Sequence, residues 1–127
     1  MNVLDSDLLI GNLRNDPDAA KAIDRLEGQQ NAATTITEME LWYGESQRVR
    51  PNFKTLELTF NAIQRLALDS ESARMAGRIW SGLKRAGKEI DLRDVMIGAI
   101  ALRHNATLHT RNLKHFERIP GLRVKRW

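Results

Sequence analysis

Cysteine is absent from the 127 residues. That excludes a disulfide scaffold, thiolate metal sites and cysteine nucleophiles, and it fits a reducing cytoplasm. Proline occurs only at positions 17, 51 and 120, each at an expected element boundary. No apolar run reaches the roughly 18 residues that a membrane span needs, so no membrane association is expected. The opening MNVLDSDLLI carries acids and no basic stretch, which is not the pattern of a secretory leader. Internal repeats, low-complexity tracts and long linkers are missing too. The length fits one domain, residues 1–127, with one sizeable core.

What is there is charge, unevenly placed. Residues 1–45 hold nine acids against three bases, whereas residues 46–127 hold seven acids against seventeen bases. A basic surface around an acidic pocket suits a metal-dependent enzyme acting on a polyanion. The plainer reading is a solvated surface of uneven charge.

Short strands alternate with helices along the chain. Strands are expected at 2–4, 32–36, 66–68, 106–109 and 121–124. Helices are expected at 6–13, 16–26, 37–48, 52–64, 70–86 and 92–105. Gly28 and Gly87 act as stops. Ala73, Gly77, Trp80 and Leu83 mark the expected buried face of the fifth helix. The sixth is apolar nearly all round and must be buried. This alternation predicts an α/β fold with a parallel sheet. Ligands of such sheets bind at the carboxyl ends of the strands, so Asp5, residues 37–40 and residues 110–112 are the positions to inspect.

Three acids stand out. Asp5 follows the first strand and begins the turn into a helix. Glu40 lies three residues after Thr37, and Asp94 three after Asp91, so each can be the third residue of a capping box. Asp94 opens the buried helix, where an unpaired acid is costly. A hard divalent cation is a natural partner. Gly98 and Ala101 lie on the same face, and their small size would let the helix approach the sheet and bring Asp94 beside Asp5.

The segments VLDSDLLIGNLR (3–14), TTITEMELWYGE (34–45) and DLRDVMIGAIALRHNATLHTRNLKHFERIPGLRV (91–124) together resemble the PIN domain, and within it the VapC ribonuclease toxins of prokaryotic toxin–antitoxin pairs. Residues 46–90 match only in helical character. The resemblance implies a three-layer α/β fold, with helices around a short, mostly parallel central sheet. It also implies a Mg²⁺- or Mn²⁺-dependent endoribonuclease, an RNA substrate, a VapB-like antitoxin and a homodimer in the cytoplasm. Asp5, Glu40 and Asp94 match the family's metal-binding acids. Asn112 stands at the fourth catalytic position, where many members have Asp, so the pocket has three formal charges instead of four and a second metal ion is less favoured. His115 sits where many relatives have Asp, and its part in the site is left open.

Arg111 is the best single phosphate contact from the sequence. Ser6 and Thr110 are candidates for orienting ligands or a phosphate oxygen, with capping as the alternative. Asp7 reads as a first-turn helix acid. Trp42 and Tyr43 read as core or interface groups, and Trp127 as a surface or interface one. Two other motifs fail. Residues 82–89 nearly match a phosphate-binding loop, but Glu89 replaces the hydroxyl residue that would reach a cation. Asp5-Ser6-Asp7 resembles the haloacid-dehalogenase phosphatases, yet the residues expected after it are absent. His104, His109 and His115 lack zinc-ligand spacing. The rival readings are a nuclease-inactive PIN fold that binds RNA or protein, and a small metal-dependent phosphatase.

Overall fold

The computed structural model describes residues 1–127. In chain order the elements are β1 Asn2–Leu4, α1 Ser6–Leu13, α2 Pro17–Arg25, β2 Asn31–Thr34, α3 Thr35–Ser46, α4 Phe53–Asn61, β3 Gln64–Leu66, α5 Ser70–Arg85, α6 Leu92–Arg103, β4 Thr107–His109, α7 Leu113–Phe116 and β5 Arg123–Lys125. The five strands form one sheet in the order β3-β2-β1-β4-β5. Every pairing is parallel, with Val3 opposite Ala32 on one side and Leu108 on the other. The expected α/β sandwich is therefore correct, and its sheet is wholly parallel.

Adjacent residues on a strand face opposite sides, and the core divides accordingly. Val3, Ala32 and Leu108 point toward α5, α6 and Phe116 of α7. Leu4 and Ala33 point toward α1, α2, α3 and α4, where Leu8, Leu41, Leu56 and Phe60 fill the space. From β1 the chain turns first to β2 and later returns to β4 on the opposite flank. The carboxyl end of β1 is thus the switch point of the sheet, the crevice where ligands of this architecture bind.

Side-chain caps fix where the helices begin. The carboxylates of Asp5, Asp16, Asp69 and Asp91 each accept a backbone N–H at the start of α1, α2, α5 and α6. Helix α5 ends as expected at Gly87, which has φ +66°. Its N–H donates to the Lys84 carbonyl, and the next N–H, of Lys88, donates to Leu83. That paired closure is a Schellman motif, so residues 82–89 finish a helix and do not cradle phosphate.

Several boundaries differ from the sequence expectation. Strand β2 stops at Thr34 because the Thr34 side chain accepts the Thr37 N–H, turning Thr35 and Ile36 into the first helical turn despite their β-branching. β3 forms two residues early, at the sheet edge, where exposed Gln64 and Arg65 are tolerated. Helix α4 correspondingly ends at Asn61. The buried face of α5 runs through Ser72, Ala76 and Leu83, while Trp80 is exposed. Helix α7 was not anticipated. Gly98 makes room for Ile119, whose side chain a Cβ there would overlap, so that glycine serves the α7–β5 connection and not the sheet.

Leu108 is fully buried between β1 and β5. Leu108→Ala is expected to destabilise the fold by about 2–5 kcal/mol, measured by urea unfolding. A loss well under about 1 kcal/mol would contradict the packing described.

Candidate active site

Asp5 sits at the end of β1, is 5% exposed, and caps α1. One carboxylate oxygen accepts the Ser6 N–H at 2.9 Å, and the other accepts the Thr110 hydroxyl at 2.7 Å. Burial pushes its pKa up to about 7 against the help of the Thr110 bond, and Asp7 and Asp94 add to the rise. Asp94 raises Asp5, and Asp94 in turn raises Glu40, so two carboxylates from other elements are linked to it in a chain. Glu40 is the sixth residue of α3, and Asp94 the third of α6. Both are held above the usual carboxylate range, chiefly by burial. Arg93 counteracts the rise at Glu40, and His115 counteracts it at Asp94.

Glu40 does not belong to a capping box. Thr34 is the cap of α3, which puts Glu40 in the helix interior, two turns in. Its Oε1 is buried without a hydrogen-bond partner. Its Oε2 lies 3.7 Å from the Arg93 guanidinium, which also grips Asp91 at 3.0 and 3.1 Å. Asp94 occupies the third helical position as expected, but its carboxylate turns away from its own helix. Its Oδ2 lies 2.8 Å from His115 Nδ1 and 3.3 Å from Asn112 Nδ2. Asn112 and His115 therefore both face Asp94. No three acid or imidazole side chains already converge in a metal-binding geometry.

The structure reassigns the other candidates. Thr110 is fully buried and its hydroxyl donates to Asp5, so it orients that carboxylate. Ser6 adds its backbone N–H to Asp5, and its hydroxyl helps Glu40 stay ionised. Arg111 turns away from the acids. Its guanidinium lies 3.7 Å from Asp16 and 3.5 Å from Asp18, and stacks on Trp127 at 3.7 Å. It acts as a structural clasp, and a phosphate would have to compete with Asp16 and Asp18 for it. Asp7 is more than a first-turn acid: it accepts the Arg111 N–H at 2.8 Å and the Trp127 indole N–H at 2.9 Å. Trp42 stacks on Phe53 with centroids 4.9 Å apart, while Tyr43 is 66% exposed. The group missed from the sequence is Arg93. Its one signal was a base placed between two acids, Asp91 and Asp94.

A switch-point site lined by carboxylates from β1, α3 and α6 can be compared with known proteins. The PIN domain family model matches residues 3–122. The chain belongs to the PIN domain family. Among the relatives of this PIN domain is the tRNA(fMet)-specific endonuclease VapC of Salmonella typhimurium, 31% identical over 98% of this chain and 96% of that protein. Ribonuclease VapC19 of Mycobacterium tuberculosis is 29% identical over 96% of this chain and 97% of its own length. The fold also matches VapBC2 from Rickettsia felis, in a crystal structure with a DNA fragment from the promoter of the pair. There the TM-score is 0.90 and identity 25%, over 99% of this PIN domain and 98% of that chain. DNA-bound VapBC from Salmonella typhimurium matches with a TM-score of 0.90 at 29% identity, over 99% and 97%.

The crowded carboxylates set a pH dependence. Asp5, Glu40 and Asp94 hold their protons more tightly folded than unfolded. Without a cation the fold must therefore lose stability as pH rises from the ordinary carboxylate range through about 7. Asp5→Asn removes one charge and keeps an acceptor for Thr110. In thermal melts it is expected to stabilise the protein at about pH 8, by up to about 4 kcal/mol, and to change little at about pH 4. Equal effects at both pH values would contradict the assignment.

Proposed function

We propose that this PIN domain, over residues 1–127, is a divalent-cation-dependent endoribonuclease and the toxin of a VapBC-type pair. The observation that carries the reading is the set of three carboxylates, Asp5, Glu40 and Asp94, drawn together at the switch point and raised by burial. Carboxylates gathered against their own repulsion call for a positive partner. The donor set suits a hard cation such as Mg²⁺ or Mn²⁺, because every matched acid offers oxygen and Glu40 Oε1 has no other partner. The names of the ribonuclease relatives support RNA as the substrate class.

Asp5, Glu40 and Asp94 would hold the cation, with Asn112 as a neutral fourth member. A bound cation supplies charge neutralisation on the phosphodiester and a water of lowered pKa. The chain's residues do the positioning. Thr110 and the Ser6 N–H fix both oxygens of Asp5 in one orientation. Glu40 Oε1, buried without a hydrogen-bond partner, is the oxygen that would bind the cation or one of its waters. Arg93, half-exposed beside Glu40, is the base best placed to meet a phosphate at the rim. The excess of bases in residues 46–127 supplies a general attraction for RNA.

The VapBC relatives also support a VapB-like antitoxin as partner. Exposed Met39 and Tyr43 on α3 fit a homodimer. No helix is long and apolar enough to cross a membrane, and the absence of cysteine agrees with a cytoplasmic setting.

The deciding assay incubates the purified protein with tRNA and ribosomal RNA in Mg²⁺ or Mn²⁺. Discrete fragments are expected, lost with EDTA. Asp94→Asn should lower cleavage by at least about a hundredfold while the protein stays folded. Asn112 in place of an acid is the feature that favours the second reading, a PIN fold that binds without cutting. That reading predicts RNA retained but intact, with binding unchanged by Asp94→Asn.

A further inference from the structure

Resting on the metal-nuclease reading, we infer that His115 is itself a ligand of the cation through Nδ1. It adds a nitrogen donor beside the neutral amide oxygen of Asn112, and it biases the site toward a transition-metal dication such as Mn²⁺ over Mg²⁺.

The case begins with three side chains that each decline the local bond their position offers. Asn112 stands at the start of α7, yet its side chain makes no capping hydrogen bond. Asp94 stands at the third position of α6, yet its Oδ2 is directed at α7. His115 lies three residues after Asn112, on the same side of α7. Its ring reaches toward Asp94 while the side chain stays 40% exposed. All three are aimed at one another.

The resulting triangle has edges of 2.8 Å from His115 Nδ1 to Asp94 Oδ2, 3.0 Å from Asn112 Nδ2 to Nδ1, and 3.3 Å from Nδ2 to Oδ2. With Asp94 ionised and Nδ1 protonated, His115 and Asn112 both donate to Asp94 Oδ2, and the edge between Nδ2 and Nδ1 is a contact of two donors without a hydrogen bond. If Nδ1 is bare, it accepts from Asn112 but faces the carboxylate lone pair to lone pair. Turning the amide over brings its oxygen against the carboxylate instead.

A cation can take the place of the Nδ1 proton, receiving a lone pair from each corner with the amide oxygen turned inward. Neighbouring ligands of an octahedral ion with bonds of about 2.1 Å are about 3.0 Å apart. The three edges bracket that spacing. Imidazole nitrogen is a better donor to first-row transition dications than to Mg²⁺, which prefers oxygen. The other imidazoles do not compete. His109 is buried against Asn2, and His104 caps the far end of α6.

The test uses the whole protein stripped with EDTA and loaded with Mn²⁺ alone. Pulsed electron paramagnetic resonance reads nitrogen directly bound to Mn²⁺, and calorimetry reads affinity for Mn²⁺ and Mg²⁺. Wild type is expected to show one imidazole nitrogen coupling. In His115→Gln the coupling should vanish and Mn²⁺ affinity should fall about tenfold or more, with a smaller loss for Mg²⁺. His115→Asp should recover Mg²⁺ binding without the nitrogen signal, which separates a lost ligand from a damaged fold. Wild type saturated with Mn²⁺ but lacking the coupling would overturn the inference and leave the carboxylate site standing. So would a coupling that persists in His115→Gln. Wild type that binds neither ion would overturn both.

Discussion

Asp5 is 5% exposed, and the groups that raise its proton affinity beyond burial are two other acids, Asp7 and Asp94. Much of the surrounding structure holds that carboxylate in place. Ser6 and Thr110 occupy its two oxygens. The parallel pairing of β1 with β2 and β4 delivers Thr34 and Thr110 to the same edge. From that edge α3 departs with Glu40 on its second turn. Helix α6, apolar from Val95 to Leu102, brings Asp94 in from the opposite layer. The layers thus assemble carboxylates whose charge burial disfavours. Under the proposed function, a cation would offset that cost.

The clasp around Trp127 belongs to the same logic. Asp7 accepts from both Trp127 and the backbone of Arg111, next to the Thr110 that orients Asp5. Arg111 closes the loop by stacking on Trp127 and pairing with Asp16 and Asp18 at the start of α2. A base that the sequence offered to substrate instead ties the exit of β4 to α1 and α2. Arg93, held between Asp91 and Glu40, is the base that stays beside the site carboxylates.

Asp5 was legible because an apolar strand followed by an acid and a helix signal has one common geometry. Asp94 was legible because an acid opening a helix that must be buried needs a partner. Glu40 was legible from its place just past the second strand and from the resemblance. The capping box that its spacing from Thr37 allowed does not form, because Thr34, three residues earlier, wins the capping bond. Propensity also failed at Thr35 and Ile36, where one side-chain bond outweighs β-branching. The edge strand β3 was displaced because an edge accepts polar residues and so carries no alternation to detect. Partner choice among long side chains was not legible at all. Nothing in the local sequence says that Arg111 reaches Trp127, or that Arg93 reaches Glu40, because both contacts are set by how helices from distant segments pack.

The central claim is that the fold holds Asp5 in an environment that disfavours its charge until a cation arrives. Carboxyl-carbon NMR of selectively labelled aspartate measures this directly, as a titration with and without Mg²⁺. The account predicts an Asp5 midpoint near 7 in the metal-free protein, and a clear fall when Mg²⁺ is present. An Asp5 that titrates in the ordinary carboxylate range near 4 under both conditions would contradict it.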